Sequence, residues 1–325
     1  MVISKPQARR GLVVFMLALV ATMSVSIWLS RSIPRPALPT IFFNFEIIVF
    51  LSYSPAIAAL FARLALREGF KDVSFRLRGE WATQAMLIAW LWPAVCGAFT
   101  YGLAWFFGLT RFAWTSHGSY GSWGPETLFG VSIFGMVPLT AFAVRLAASL
   151  LFALIGCVQS FGEEFGWRGY MLTRLFDAKI PVPLFWNGLV WGVWHVPFFL
   201  VLSSDMNRPE PASVSLFFFV AGTIAGAYLL GYLRLRSGSI WPAVLAHASG
   251  NAVLVWAFDG LTGANVFWKG ELYLLTTALP LAVLFFVRRP WIVRHWPHDR
   301  RTTDSKLIAQ GAPQDQRARE SRHSP

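Results

Sequence analysis

Residues 138–168 read PLTAFAVRLAASLLFALIGCVQSFGEEFGWR. The first part of this stretch, 138–162, is apolar over the roughly 20 residues that a membrane-spanning helix requires. It ends at two adjacent acids, Glu163 and Glu164, and Arg168 follows one helical turn later. A charge at membrane depth costs about 2.5–3.5 kcal/mol even on the mildest scales and usually marks function. The stretch therefore predicts a transmembrane helix with a functional end.

The rest of the chain has the composition of a membrane protein. Of its 325 residues, 55% are hydrophobic and only 14% are charged, whereas soluble domains carry about 25% charged residues. The net charge of +12 does not indicate a nucleic acid partner, because the basic residues flank apolar runs. Cys96 and Cys157 lie within apolar runs, which favours buried thiols over a disulfide or a metal pair.

Eight apolar runs are long enough to cross a bilayer as helices. They span residues 11–30, 40–65, 83–108, 138–162, 183–202, 214–233, 240–258 and 270–287. The first run is longer than the apolar region of a signal peptide, which has about 7–15 residues, so we interpret it as a retained span. We therefore expect an all-α, polytopic integral membrane protein of about eight transmembrane helices.

Lys and Arg are concentrated in alternate segments between these runs. The richer segments contain Lys5, Arg9, Arg10, Arg67, Lys71, Arg76, Arg78, Arg168, Arg174, Lys179, Arg234, Arg236, Arg288, Arg289 and Arg294. The positive-inside rule then predicts that both termini and the segment 163–182 face the cytoplasm. In a prokaryote, the membrane would be the plasma membrane.

Three polar pairs, each spaced by one helical turn, lie in or beside the fourth, fifth and seventh runs. In the first pair, Glu164 and Arg168 are i,i+4 neighbours that can form an ion pair, whereas Glu163 points about 100° away. The other two pairs each share one helix face: Trp191 with His195, and His247 with Asn251. If the three helices converge, these side chains enclose an intramembrane polar cavity.

Such a cavity would hold the groups that peptide hydrolysis requires. A carboxylate and imidazoles can activate a water, and hydrogen-bond donors can stabilise an oxyanion. Each pair alone also fits a structural role, as a surface charge pair, as hydrogen bonds between helices or as a positive-inside anchor. Three such pairs together favour a site. Asn187 and Glu46 are weaker candidates for the same site or a second one.

The order Glu-Glu-x-x-x-Arg, aromatic-x-x-x-His, His-x-x-x-Asn on successive helices resembles the CPBP intramembrane proteases. This family includes the type II CAAX prenyl endopeptidases and bacterial homologues tied to bacteriocin processing and immunity. The resemblance covers about residues 140–258 and is closest in GEEFGWRGY, residues 162–170, and GSIWPAVLAH, residues 238–247. Trp167 and Trp191 stand where Phe is commoner in the family, which affects the shape of the pocket.

The resemblance implies a role for each motif residue. Glu163 resembles the general base, which activates a water together with His195. His247 and Asn251 resemble the groups that stabilise the tetrahedral oxyanion.

The remaining motif residues, Glu164 and Arg168, resemble a supporting pair that sets the geometry of the site. The resemblance favours a mechanism without a metal or other cofactor. Zinc stays an alternative, because Glu163, His195 and His247 are residue types that bind it. The sequence has no His-Glu-x-x-His motif.

We therefore predict an intramembrane endopeptidase that cleaves a membrane-associated or lipidated, CAAX-like protein or peptide within the lipid bilayer. One alternative is a catalytically silent immunity protein that binds a peptide or toxin. The other is a proton-coupled transporter with Glu163, His195 and His247 as a relay. No internal repeat is visible, so the inverted-repeat signature of many transporters is missing.

The predicted organisation has four parts. Residues 1–137 form N-terminal transmembrane helices and loops, and 138–260 form the CPBP-like catalytic core. Residues 261–297 contain the last transmembrane helix, and 298–325 are a disordered basic cytoplasmic tail, because they are polar and charged.

Overall fold

The structure is a computed structural model, and it describes most of the apolar part of the chain. The described residues are 3–32, 40–77, 80–109, 129, 136, 138–197, 212–258 and 272–284. Most of these residues are helical, and none of them belongs to a β-strand. The predicted tail at 298–325 lies outside the described residues.

Nine α-helices are assigned within the described residues. They are α1 (Lys5–Ser32), α2 (Thr40–Ala65), α3 (Glu80–Phe106), α4 (Pro138–Gly166), α5 (Leu172–Asp177), α6 (Pro183–Trp194), α7 (Ala212–Ser237), α8 (Trp241–Ala252) and α9 (Leu272–Leu284). Two π-helical segments continue α4 and α8: Trp167–Met171 and Val253–Phe258. Each of the eight predicted runs therefore contains a helix.

The prediction of an all-helical integral membrane protein is confirmed, but the count of eight spans is not. Among the described residues, four helical stretches are long and apolar enough to cross a membrane: Lys5–Trp28, Trp81–Phe106, Leu139–Asp177 and Ser213–Ser237. Helices α6 and α8 have 12 residues each. At 1.5 Å per residue, α6 is about 18 Å long, which is shorter than a hydrocarbon core of about 30 Å, whereas α8 continues into the π-helical segment Val253–Phe258.

The end of α4 that carries the two acids packs directly against α2. A Cβ on Gly162 would lie 2.7 Å from the Ser52 carbonyl oxygen, and one on Gly166 would lie 2.4 Å from Pro55 Cβ. Because no side chain fits at either glycine, the two backbones approach closely on both sides of the acid pair. This packing limits the directions that the side chains of Glu163 and Glu164 can take.

A network of buried charges holds the connection between α2 and α3 against α5. Arg63 is fully buried and binds Asp72 with Nη1 to Oδ1 at 2.7 Å, while Arg174 binds Glu68 with Nη2 to Oε2 at 2.8 Å. Arg174 also donates to Asp72, at 2.8 Å. Burial raises the pKa of Asp72, but hydrogen bonds and charge from Arg63 and Arg174 outweigh it, so this pKa lies below its usual value.

Candidate active site

The acid pair lies in the last turn of α4, and the base that follows lies in the π-helical segment. Glu163 is 4% exposed, and Glu164 and Arg168 are fully buried. Nη1 of Arg168 is 2.7 Å from Oε1 of Glu164, so the structure contains the ion pair that the i,i+4 spacing predicts. In this pair, the carboxylate of Glu164 compensates the positive charge of Arg168, which would otherwise be buried without a partner.

Glu164 also binds His247 on α8, which the sequence did not indicate. Nδ1 of His247 lies 2.8 Å from Oε1 of Glu164, the same oxygen that accepts from Arg168. A carboxylate only accepts hydrogen bonds, so Nδ1 of His247 carries the proton. This contact directs the other ring nitrogen, Nε2, toward Glu163, whose Oε2 is 3.9 Å away.

Trp191 on α6 connects the members of this cluster. Its indole Nε1–H donates to Oε2 of Glu163 at 2.8 Å. Its ring centroid lies 4.5 Å from Cζ of Arg168 and 5.2 Å from the His247 ring centroid. The sequence motif marked only an aromatic residue here, and Phe would supply the ring without the hydrogen bond. The departure from Phe is thus the sequence signal for this contact.

His195 lies beside the cluster and is not hydrogen-bonded to Glu163. It caps α6, with Nδ1 2.9 Å from the Trp191 carbonyl oxygen. Its ring packs between Trp194 and Phe219, at centroid distances of 4.6 and 4.7 Å. If Nδ1 donates to the carbonyl, Nε2 is the nitrogen left to act on a water. The predicted joint action of Glu163 and His195 on a water stays a prediction, and the side chain that contacts Glu163 directly is Trp191.

Asn251 lies one helical turn beyond His247 and does not join the cluster. Its side chain is exposed and lines a cavity of about 70 Å³ between α4 and α8. The structure therefore brings Glu163 and His247 together, places His195 beside them and puts Asn251 farther out.

Of the two weaker candidate site residues, Asn187 and Glu46, the structure describes the side chain of Asn187 alone. Asn187 is fully buried and its Nδ2 donates to the Trp167 carbonyl oxygen at 3.0 Å. It therefore stabilises the π-helical segment that positions Arg168, and it joins α6 to the end of α4. The side chain of Glu46 lies outside the described part of the structure.

In the alternative mechanism with zinc, Glu163, His195 and His247 are the residues that would hold the ion. In the part of the chain that the structure describes, no three His, Cys, Asp or Glu side chains are grouped to hold a metal ion. Nδ1 of His247 is engaged by Glu164, a contact that zinc-binding histidines also make with a carboxylate, so Nε2 stays open to a ligand.

Comparison with known proteins agrees with the motifs. Residues 145–253 match the family model described as type II CAAX prenyl endopeptidase Rce1-like. No curated protein matches the chain. The matched range includes both acids, the base, both histidines and Asn251. Because this is a protease family, the match indicates a peptidase that acts on a protein substrate in the membrane. The resemblance drawn from the motifs is confirmed: residues 145–253 are similar to the type II CAAX prenyl endopeptidase Rce1-like family.

Proposed function

We propose that the protein is a glutamate-type intramembrane endopeptidase and that Glu163 is its general base. The observation that carries this proposal is the buried Arg168–Glu164–His247 chain, which leaves the neighbouring Glu163 outside the ion pair. Two adjacent carboxylates then have two roles. Glu164 holds the geometry, and Glu163 is the carboxylate available for proton transfer.

The reaction follows from the atoms around Glu163. Its Oε2 is held by Trp191, and its Oε1 accepts no hydrogen bond from the described residues. Oε1 takes a proton from a water, with His195 orienting the water through Nε2. The resulting hydroxide adds to the scissile carbonyl carbon. The proton then passes from Glu163 to the leaving amide nitrogen as the C–N bond breaks, so the atoms of one water are divided between the two products.

The tetrahedral intermediate carries a negative oxygen that requires donors. We assign this role to His247 in its protonated form, with Nε2–H donating to the oxyanion while Nδ1–H donates to Glu164. The amide of Asn251 is the second donor. Because Asn251 lies one turn away from His247, the substrate carbonyl would have to lie between the two side chains.

The substrate that fits best is the C-terminal segment of a membrane-associated, lipidated protein. Positive charge flanks the spans on the side of the acid pair, so the termini and the site face the cytoplasm in this proposal. The organisation proposed from the sequence places this chemistry in residues 138–260. In a prokaryote, the location would be the plasma membrane.

Reconstitution in liposomes tests this function. We expect the protein to cleave a peptide with an S-prenylated cysteine near its C-terminus, releasing the residues that follow the cysteine, which mass spectrometry identifies. Ser149→Ala is a matched control, because Ser149 is buried in α4 away from the acid pair. No cleavage of prenylated or other membrane-associated peptides, together with pH-driven uptake of a solute, would instead support a transporter. Toxin protection that persists in Glu163→Gln would support an immunity protein.

A further inference from the structure

A small cavity between α4 and α8 lies next to the proposed catalytic cluster and shares with it one assigned donor, Asn251. Its volume is about 70 Å³, and three of its lining side chains are polar: Gln159, Ser160 and Asn251. Phe152 and Trp256 contribute apolar walls. Of these three, Asn251 is exposed, Gln159 is half-buried and Ser160 is buried, and a buried polar group such as the Ser160 hydroxyl is costly without a partner.

The cavity continues the polar stripes of the cluster by one helical turn. On α4, Gln159 and Ser160 each precede one of the two acids by four residues, and on α8 Asn251 follows His247 by four. Four residues along an α-helix return to nearly the same face about 6 Å farther along the axis. The cavity therefore adjoins the carboxylates and the imidazole on the side toward the N-terminus of α4.

Its polar groups have unused hydrogen-bonding capacity. Ser160 is 1% exposed, and its Oγ has no hydrogen-bond partner among the described residues. Nε2 of Gln159 donates to Ser52 Oγ at 3.1 Å, which leaves its carbonyl oxygen to accept. An unpaired buried hydroxyl costs about 1–3 kcal/mol, so a ligand that both donates and accepts would be stabilised here.

We propose that this cavity binds water and supplies it to Glu163. A water takes about 30 Å³ in the liquid and needs two to four polar partners, conditions that the cavity meets. The use of the water rests on the proposed hydrolytic function, since each turnover consumes one water and the surrounding lipid supplies none.

Hydroxyl-radical labelling by X-ray radiolysis in lipid nanodiscs tests whether water is present, independently of activity. Bound water should label Trp256, whereas Phe99, which is 54% exposed within the candidate span Trp81–Phe106, should be labelled little, since we expect lipid to cover that face of α3. Gly156→Val should reduce Trp256 labelling severalfold. A Cβ at Gly156 would meet Ala248 Cβ at an ordinary 3.6 Å, so the added side chain can fill the cavity. Unchanged labelling in Gly156→Val would overturn the proposal.

Steady-state kinetics test whether the water is used. Ser160→Ala should lower kcat about tenfold, equivalent to about 1.4 kcal/mol, with KM unchanged. Ser149→Ala removes another buried, unpartnered hydroxyl of α4 that does not line the cavity, and should leave kcat unchanged. A raised KM with unchanged kcat would assign the cavity to peptide binding and overturn the water role. Normal turnover in Glu163→Gln would instead overturn the proposed function, whatever the labelling shows.

Discussion

The indole nitrogen of Trp191 lies 2.8 Å from Oε2 of Glu163, so one tryptophan on α6 orients the acid proposed as the base on α4. The same ring stacks on the guanidinium of Arg168 and meets His247 edge-on. Three elements, α4 with its π-helical continuation, α6 and α8, are thereby fixed to one another at a single side chain. The acid pair is divided by this geometry into a carboxylate held by Trp191 and one held by Arg168 and His247.

Trp191→Phe should lower kcat by about tenfold to a hundredfold, because a hydrogen bond to a charged group contributes about 1.5–3 kcal/mol. The aromatic ring is retained, so KM should change little. Trp92→Phe is the matched control, since its indole also donates from a buried position, to the Ala246 carbonyl oxygen at 2.9 Å. Equal losses of turnover in the two variants would show that Trp191 acts through packing alone.

The two acids should differ in their effect on stability. Glu164→Gln leaves the fully buried Arg168 without its charge partner and should destabilise the protein by about 3–5 kcal/mol. Glu163→Gln keeps an oxygen that accepts from Trp191, so its melting temperature should stay near that of the wild type. Thermal unfolding in detergent, followed by tryptophan fluorescence, measures both. Equal melting temperatures for Glu164→Gln and the wild type would contradict the supporting role of Glu164.

The charge network at Asp72 should make stability depend on pH in the acid range. The folded-state pKa of Asp72 is depressed, so its contribution is present above the usual carboxyl value of about 4 and is lost as pH falls through the lower folded value. Asp72→Asn should destabilise the protein by about 3 kcal/mol near neutral pH, because Arg63 stays buried.

The difference between wild type and Asp72→Asn should therefore shrink as pH is lowered below about 4. Melting temperatures of both proteins across that range measure it. If the difference in melting temperature between the two proteins does not change with pH, the loss in Asp72→Asn comes from altered packing and not from the lost charge.

Chelation should not affect cleavage. The donor atoms of Glu163, His195 and His247 are not grouped as metal ligands, and the proposed base acts on water directly. Turnover of the reconstituted protein after prolonged incubation with 1,10-phenanthroline should equal that of the untreated protein. Loss of turnover that added zinc restores would show that the histidines regroup around a metal.

The sequence predicted the helices because each apolar run has the length and composition of a buried or membrane-spanning helix. It also predicted the Glu164–Arg168 pair, since i,i+4 spacing alone brings these side chains together. It could not give the number of spans. A run of apolar residues does not reveal that α6 ends at His195 or that α8 changes to a π-helix at Val253.

The sequence also could not predict which side chains contact one another between helices. The bond from His247 to Glu164 joins residues 83 positions apart, and the bond from Trp191 to Glu163 joins residues 28 apart. Neither follows from spacing on one helix. The displacement of Asn251 into the cavity also depends on how α8 crosses α4, which a motif does not encode.

The turnover of Glu163→Gln is the most direct measurement. With a peptide that the wild-type protein cleaves, single-turnover rates of the two reconstituted proteins are compared at equal amounts of inserted, folded protein. If Glu163 is the general base, the variant should be slower by about 100-fold to 10,000-fold while still binding the peptide. A Glu163→Gln protein that cleaves at the wild-type rate would contradict the assignment.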